Sequence, residues 1–321
     1  MAEILKYRFP DKEIVEQTGF FREIDSSKEL KGFIISTFLK DRYFQFAPLE
    51  NGKGEFHFDI EKPYIVSKSE YLAEASSFLD SFERLGIKKA VFSRVKIEEF
   101  DHRKTEDLFR KLCEMYPKAF VYLVSSELFG TWIGATPEIL LLAISGTGFT
   151  ISLAGTQPII DGKPWIEKEI IEQSLVTDFL ESQLHSKGIK HIEKNGPYDI
   201  EAGPVKHLRT DFSFDLEKLS PIEIAKHIHP TPAVSGLPQK AAIDLINFRE
   251  PHDRQLYTGM IGTISEEKSS LYVNLRCCQI QKGQVFLYLG GGFTPDSNPE
   301  AEWEETENKA KTLLKAIEEV K

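Results

Sequence analysis

Apolar and polar positions along this chain follow two periods. Between residues 119 and 154 the runs AFVYLVSS, TWIGA, EILLLAI and FTISLAG are short, rich in β-branched and aromatic residues, and separated by brief breaks. That pattern predicts strands in an antiparallel meander. A second set, YTGMIGTI, SLYVNLRCCQI and QVFLYLGGG, repeats it near the C-terminus. Apolar residues return every three to four positions around 71–85, 105–116, 164–185, 238–247 and 299–319, which predicts helices there. Turn signals are NGKG at 51–54, SGTG at 145–148, NGP at 195–197 and EKSS at 267–270. Strands and helices segregate instead of alternating, so the expected class is α+β, with large, mostly antiparallel sheets.

Composition narrows this picture. The 321 residues, 41% of them hydrophobic, suffice for a sizeable core and show no repeat or low-complexity linker; one domain over 1–321 is expected. A formal charge of −10 without a dense Lys/Arg block argues against a nucleic-acid partner. No apolar run approaches the roughly 18 residues of a spanning helix, and the first residues lack a basic segment followed by an apolar one. The expectation is a cytoplasmic protein with no membrane partner. Cys113, Cys277 and Cys278 form no CxxC pair, and the adjacent pair should point to opposite faces of a strand, as reduced structural thiols.

The segment KPWIEKEIIEQSLVTDFLESQL changes the picture further. At about 100° per residue, Trp165, Val176, Phe179 and Leu180 share an arc that includes Glu169 and Glu172, while Glu167, Asp178 and Glu181 face the other way. Two carboxylates one turn apart on an apolar face are costly unless paired, protonated or metal-bound, although a helix start also favours acidic residues. The last helix opens with Asn298 and Pro299, packs through Trp303, Ala310, Leu313, Leu314 and Ile317, and carries Glu302, Glu305 and Lys309 along one flank. An ordinary i,i+4 surface pair explains that spacing equally well. Taken together, four glutamates in two i,i+3 pairs suit a hard, oxygen-liganded cation such as Mg²⁺.

Three other features carry chemistry. Gly290, Gly291 and Gly292 are expected straight after an apolar strand, with backbone open to a ligand or bent tightly. Arg276 interrupts an apolar strand and needs an anionic partner. In GATPEILLLAI, Glu138 stands at the mouth of an apolar run, either solvated or held to move a proton. Lys89 begins a strand beside Lys88, where most lysines are simply exposed.

These pieces together resemble the chorismate-utilising enzymes, and within them the isochorismate synthases. The matching motifs run in order from about residue 86: KKAVFSR, GATPEILL, LAGT, EKEIIEQSLV, VKHL, HPTPAVSGLPQKAA, EPHDRQLYTGMIG, VNLRCC, LGGGF and AEWEETENKAK. Residues 1–80 look like a variable N-terminal portion, and 81–321 like the catalytic core. The resemblance implies a two-layered α+β core of antiparallel sheets flanked by helices. It implies that Lys89 is the general base and Glu138 the general acid. Glu172 and Glu305 match Mg²⁺ ligands, and Glu169 and Glu302 match positions that reach the metal through water. Gly155, Thr156, His207, Ala233, Arg276, Gly290, Gly292 and Lys309 match positions around chorismate.

The implied activity is reversible conversion of chorismate to isochorismate by an acid-base isomerase; separately from the resemblance, a monomer is expected. The implied activity leaves menaquinone and siderophore biosynthesis both open as destinations of the product. Anthranilate synthases lack a lysine at the position of Lys89, and aminodeoxychorismate synthases carry one where this chain has Ala154. Salicylate synthases share Lys89 and Glu138 and go on to eliminate pyruvate; Ala233 in PTPAVSG and the short chain favour the synthase that stops at isochorismate. A carboxylate-binding scaffold with the same fold is the non-catalytic alternative. Gln173 departs from the family, where histidine is common.

Overall fold

The structure is a computed structural model and describes all residues except 26–28, 160–163 and 203–204, with the side chains of Thr156, Pro158, Lys168, Ala202 and Val205 also outside the description. The N-terminal region supplies strands β1 (Glu3–Arg8), β2 (Val15–Ile24), β3 (Gly32–Ser36) and β4 (Tyr43–Pro48), then helix α1 (Lys68–Leu85). Strand β5 (Lys89–Glu99) and helix α2 (Thr105–Met115) lead into β6 (Phe120–Ser126), β7 (Gly130–Thr136), β8 (Ile139–Ile144) and β9 (Thr147–Pro158). Helix α3 (Glu167–Ser186) is followed by β10 (Ile192–Ala202), β11 (Val205–Asp215), α4 (Pro221–Ile228), β12 (Gly236–Leu237) and α5 (Gln239–Arg249). The chain closes with β13 (Met260–Ile264), β14 (Lys268–Val273), β15 (Cys277–Gln281), β16 (Gln284–Phe293) and α6 (Pro299–Val320).

Among the described residues these strands form one antiparallel ladder in the order β10-β11-β9-β8-β14-β13-β3-β4-β2-β1-β6-β7-β15-β16-β5-β12. Side-chain alternation explains how it makes two layers. On β6, Phe120, Tyr122 and Val124 enter a core shared with Phe33 and Phe44 of the first half of the ladder, while Val121 and Leu123 pack outward against Leu108 and Leu112 of α2 and Leu313 of α6. A third cluster covers β8 and β11 with α3 and α4, and a fourth packs α1 and α5 on β5. Burial on both faces is why these strands read as near-continuous apolar runs. Cys277 and Cys278 fall into opposite clusters, as alternation requires, and both are free thiols. The α+β expectation holds. No described helix is long and apolar enough to cross a membrane.

Several local expectations need correction. NGP at 195–197 does not turn; it lies inside β10, where the register with β11 shifts between Asn195 and Tyr198. The turn expected at EKSS falls at Glu266 and Glu267, and Lys268, Ser269 and Ser270 already belong to β14. Helix α3 starts at Glu167, leaving Trp165 outside it with its indole N–H donating to Asp199 Oδ1 at 2.7 Å. The N-terminal 80 residues are central to the ladder: β3 pairs with β13 and β1 with β6.

The correction that matters most concerns the meander. It splits into two hairpins, β6–β7 and β8–β9, with β7 paired to β15 and β8 to β14. Likewise SLYVNLRCCQI is two strands, and Arg276 sits in the break between them with φ +49°. One long antiparallel pair is thus interrupted at the same level on both chains. Residues at an interrupted ladder are free to leave the plane of the sheet.

Candidate active site

The double break builds the site. Thr136 Oγ donates to Val273 O at 2.6 Å, Val273 N–H donates to Glu138 O at 3.0 Å, and Ala135 N–H donates to Arg276 O at 3.1 Å. These bonds keep the two strands joined across the gap while Glu138 and Arg276 are released from the ladder. Both line one cavity of about 260 Å³.

Every other sequence-predicted position whose side chain is described lines that cavity as well. Lys89 enters from β5, Gly155 from β9, Glu169 and Glu172 from α3, and His207 from β11. Ala233 comes from the loop before β12, Gly290 and Gly292 from β16, and Glu302, Glu305 and Lys309 from α6. The side chain of Thr156 lies outside the described residues. Sequence reasoning missed Tyr257 and Tyr288, which also line the cavity. Tyr257 sits inside EPHDRQLYTGMIG, where nothing in its spacing distinguishes it from a core tyrosine.

Lys89 is 3% exposed, and its Nζ donates to Glu172 Oε1 at 2.5 Å. It is therefore not the exposed strand-start lysine that its neighbours suggest. Burial pushes the Glu172 carboxyl up, but Lys89 outweighs this and holds it below the usual range. Glu138 goes the other way. Desolvation at its half-buried position pushes its pKa up to about 7, although Lys89, Lys309 and Arg276 all pull it down. Two carboxyl groups in one cavity are thus driven apart, one ionised and one poised to carry a proton at neutral pH.

On α6 the i,i+4 spacing does form its ordinary pair: Lys309 Nζ lies 2.5 Å from Glu305 Oε1. The lysine also donates to Gly290 O at 2.8 Å, which turns the pair toward the cavity. Lys309 is the largest influence holding the Glu305 carboxyl low. Arg276 Nη1 donates to Lys309 O at 3.1 Å. His207 Nδ1–H donates to Gly155 O at 3.2 Å, and burial lowers its pKa, leaving a neutral ring. Gln173, the departure from the family pattern, is 3% exposed and donates to Ser152 Oγ at 3.0 Å and Thr210 Oγ at 3.3 Å. It ties α3 to β9 and β11 beside Glu172.

The glycines work differently from expectation. Gly290, Gly291 and Gly292 lie within β16, paired to Ser93, Phe92 and Val91. Their contribution is clearance. A Cβ on Gly290 would stand 2.8 Å from the Tyr257 hydroxyl, and one on Gly291 2.9 Å from Glu302 Oε2. Gly155 adopts φ +73°, and a Cβ there would meet Glu169 O at 3.0 Å.

The donor set can be weighed against Mg²⁺ directly. Among the described residues no three acidic, His or Cys side chains already form a metal cage. The chemistry of the set nonetheless fits a hard cation, since all four glutamates offer only oxygen and the charge on Glu305 is felt at Glu172. Two are pressed into spaces that glycines keep open.

The family model described as chorismate binding enzyme matches residues 39–318. The chain belongs to the chorismate-binding enzyme family. The match begins well before residue 86, where the motif resemblance starts, so β4 and α1 are part of it. Isochorismate synthase EntC of Escherichia coli K12 is 32% identical over 219 residues, covering 64% of this chain and 56% of that protein. Anthranilate synthase component 1 of Aquifex aeolicus is 30% identical over 229 residues, covering 66% and 46%. The chain thus spans about half the length of the curated relatives it matches. The structure of MenF, the menaquinone-specific isochorismate synthase from Escherichia coli, superposes with a TM-score of 0.83 at 17% identity, covering 98% of this chain and 88% of that one. That likeness concerns the fold.

Proposed function

We propose that this protein is an isochorismate synthase that interconverts chorismate and isochorismate with Mg²⁺ as cofactor. The observation that carries the reading is the cavity pairing of buried Lys89 with Glu138, whose carboxyl titrates near neutrality. A general acid works best with a pKa near the working pH.

In this reading Lys89 takes a proton from water as the oxygen bonds to C2 of the ring. The ring double bonds shift, the C4–O bond breaks, and Glu138 delivers its proton to the departing hydroxyl. One water enters and one leaves, so the reaction is an isomerisation. Nζ donates to Glu172 as an ammonium, so the pair must open and the ammonium must first give up a proton before Lys89 can accept one from the attacking water. Arg276 and Lys309 hold substrate carboxylate, local cations in a protein of net charge −10. Glu172 and Glu305 would hold Mg²⁺ directly, and Glu169 and Glu302 through water. The ion would supply positive charge at the ring carboxylate. Ala154 lines the cavity where a nucleophilic lysine would mark an aminodeoxychorismate synthase.

The test is incubation of the purified protein with chorismate and Mg²⁺, followed by separation of products. Isochorismate is expected. Salicylate plus pyruvate as main products would replace this reading with a salicylate synthase, and no turnover would leave a carboxylate-binding scaffold.

A further inference from the structure

The segment EPHDR, residues 250–254, contains an ion pair that the proposed chemistry does not use. Glu250 and Arg254 are 2% and 3% exposed, and the guanidinium binds the carboxylate through two nitrogens, Nη2 at 2.6 Å and Nε at 2.7 Å. Breaking a buried pair of this kind is costly, yet replacing both members by apolar residues is often neutral for stability. Its stabilising contribution therefore does not explain why it is charged. The hydrogen bonds it makes outward do.

Strand β5 is flanked on one edge by β16 and on the other by the two-residue strand β12. Along that second edge Lys88 N–H donates to Leu237 O and Val91 N–H to Ser235 O, each at 2.8 Å. There the short strand ends, and β5 still has Val91 O and Ser93 N–H to satisfy. Arg254 Nη2 donates to Val91 O at 2.9 Å, and Ser93 N–H donates to Glu250 Oε1 at 2.6 Å. The pair does for β5 what a further strand residue would do, one donor and one acceptor in register. Arg254 Nη1 also donates to Val234 O at 2.8 Å, on the loop that faces β5. One rigid fork thus spans two walls of the cavity: the strand that begins at Lys89 and the loop that carries Ala233 and Val234.

We infer that Glu250 and Arg254 are positioning residues, which replace a missing strand and fix Lys89 and the Ala233–Val234 wall relative to each other. Neither lines the cavity that holds the chemistry, so they act on it through the backbone of Val91, Ser93 and Val234 and through Tyr257, over whose ring the guanidinium lies 5.9 Å from the centroid. A flat guanidinium suits the task because its donors are fixed in one plane, which an ammonium cannot reproduce.

The kinetic arm of the test rests on the proposed role of Lys89; the exchange arm does not. The double variant Glu250→Leu with Arg254→Met removes both charges together, and Arg254→Lys keeps the charge but loses the fork. In both, amide hydrogen exchange is expected to accelerate at Lys88, Val91 and Ser93 while α2 and α6 keep their protection. The kcat for chorismate should fall about 10- to 100-fold, as a small misplacement of a reacting group does. KM should move less than about threefold, because Arg276 and Lys309 sit on elements the pair does not touch. If the double variant does not fold, Arg254→Lys carries the test. Unchanged exchange would overturn the inference, and so would faster exchange with unchanged kcat. If the unaltered protein does not turn over chorismate, the proposed function fails, and local exchange still decides whether the pair stands in for a strand.

Discussion

At the scale of single residues, the balance at Glu138 bears on stability and, in the proposed reaction, on activity. Its carboxyl leaves water on folding, and three cations only partly offset the loss, so its pKa stands near 7 in the folded state against about 4.5 unfolded. The protonated form is the one the fold prefers. Stability from this group is therefore fully present below about pH 4.5 and is lost as pH rises through 7. At pH 8 the penalty is on the order of 3 kcal/mol, since each tenfold change in proton affinity is worth about 1.4 kcal/mol. Glu138→Gln removes the titration. It should be more stable than the unaltered protein at pH 8, with the gap closing toward pH 5, and it should lose about 10²-fold or more in rate. Paired thermal melts at the two pH values check the first outcome. Equal melts at pH 8 would mean that Glu138 is not desolvated as described. The unaltered protein should also lose kcat/KM as pH rises through about 7, with the loss tracking deprotonation of Glu138. Lys89→Ala should cost a similar factor in rate, and near-normal turnover would remove Lys89 from the role of base.

At the scale of elements, two helices carry the acidic groups, and their placement follows from ordinary helix physics. Asn298 accepts from Ala301 N–H at 3.1 Å and Pro299 follows at the first turn, which fixes where α6 begins and hence where Glu302 and Glu305 point. Asn298→Ala should lower stability by about 1 kcal/mol in a denaturant titration, and a loss within error would mean that the cap is redundant. These helices were legible in the sequence because a period of 3.6 puts Glu169 and Glu172 among apolar residues and Glu302 and Glu305 on one flank. The break in the sheet was not. TWIGA and EILLLAI read as neighbouring strands of one meander and SLYVNLRCCQI as one strand, because both layers bury both faces of these mostly apolar runs. Pro137 and Asn274, beside the already conspicuous Glu138 and Arg276, are the hints that the ladder stops there. Glu138 and Arg276 owe their positions to that tertiary event, and so does Lys89, which local pattern places at a surface. The N-terminal strands were overlooked for the opposite reason. VEQTGFFREI of β2 is polar enough to pass for a loop, yet its pairing with β1 and β4 lies at the centre of the ladder.

At the scale of the whole molecule, charge sets the terms on which a substrate can enter. The protein is acidic overall, and the cavity repeats that sign. Counted at formal charge with Glu138 protonated, Glu169, Glu172, Glu302 and Glu305 against Lys89, Arg276 and Lys309 give the described lining one net negative charge. In the proposed function, chorismate brings two carboxylates. Substrate alone would deepen the negative charge, and a divalent cation alone would have to compete with Lys89 and Lys309 for Glu172 and Glu305. Together they return the cavity close to where it began. Each should therefore bind more tightly in the presence of the other, and by the same factor, because coupling free energies are reciprocal. Coupling in the ordinary range of about 1–3 kcal/mol corresponds to about 5- to 150-fold. Calorimetric titration of Mg²⁺ into Lys89→Ala, with and without chorismate, measures this without turnover. Glu172→Ala should weaken both Mg²⁺ binding and the coupling. A Mg²⁺ affinity that is indifferent to chorismate, or unchanged in Glu172→Ala, would mean that the glutamates and the substrate do not share one ion.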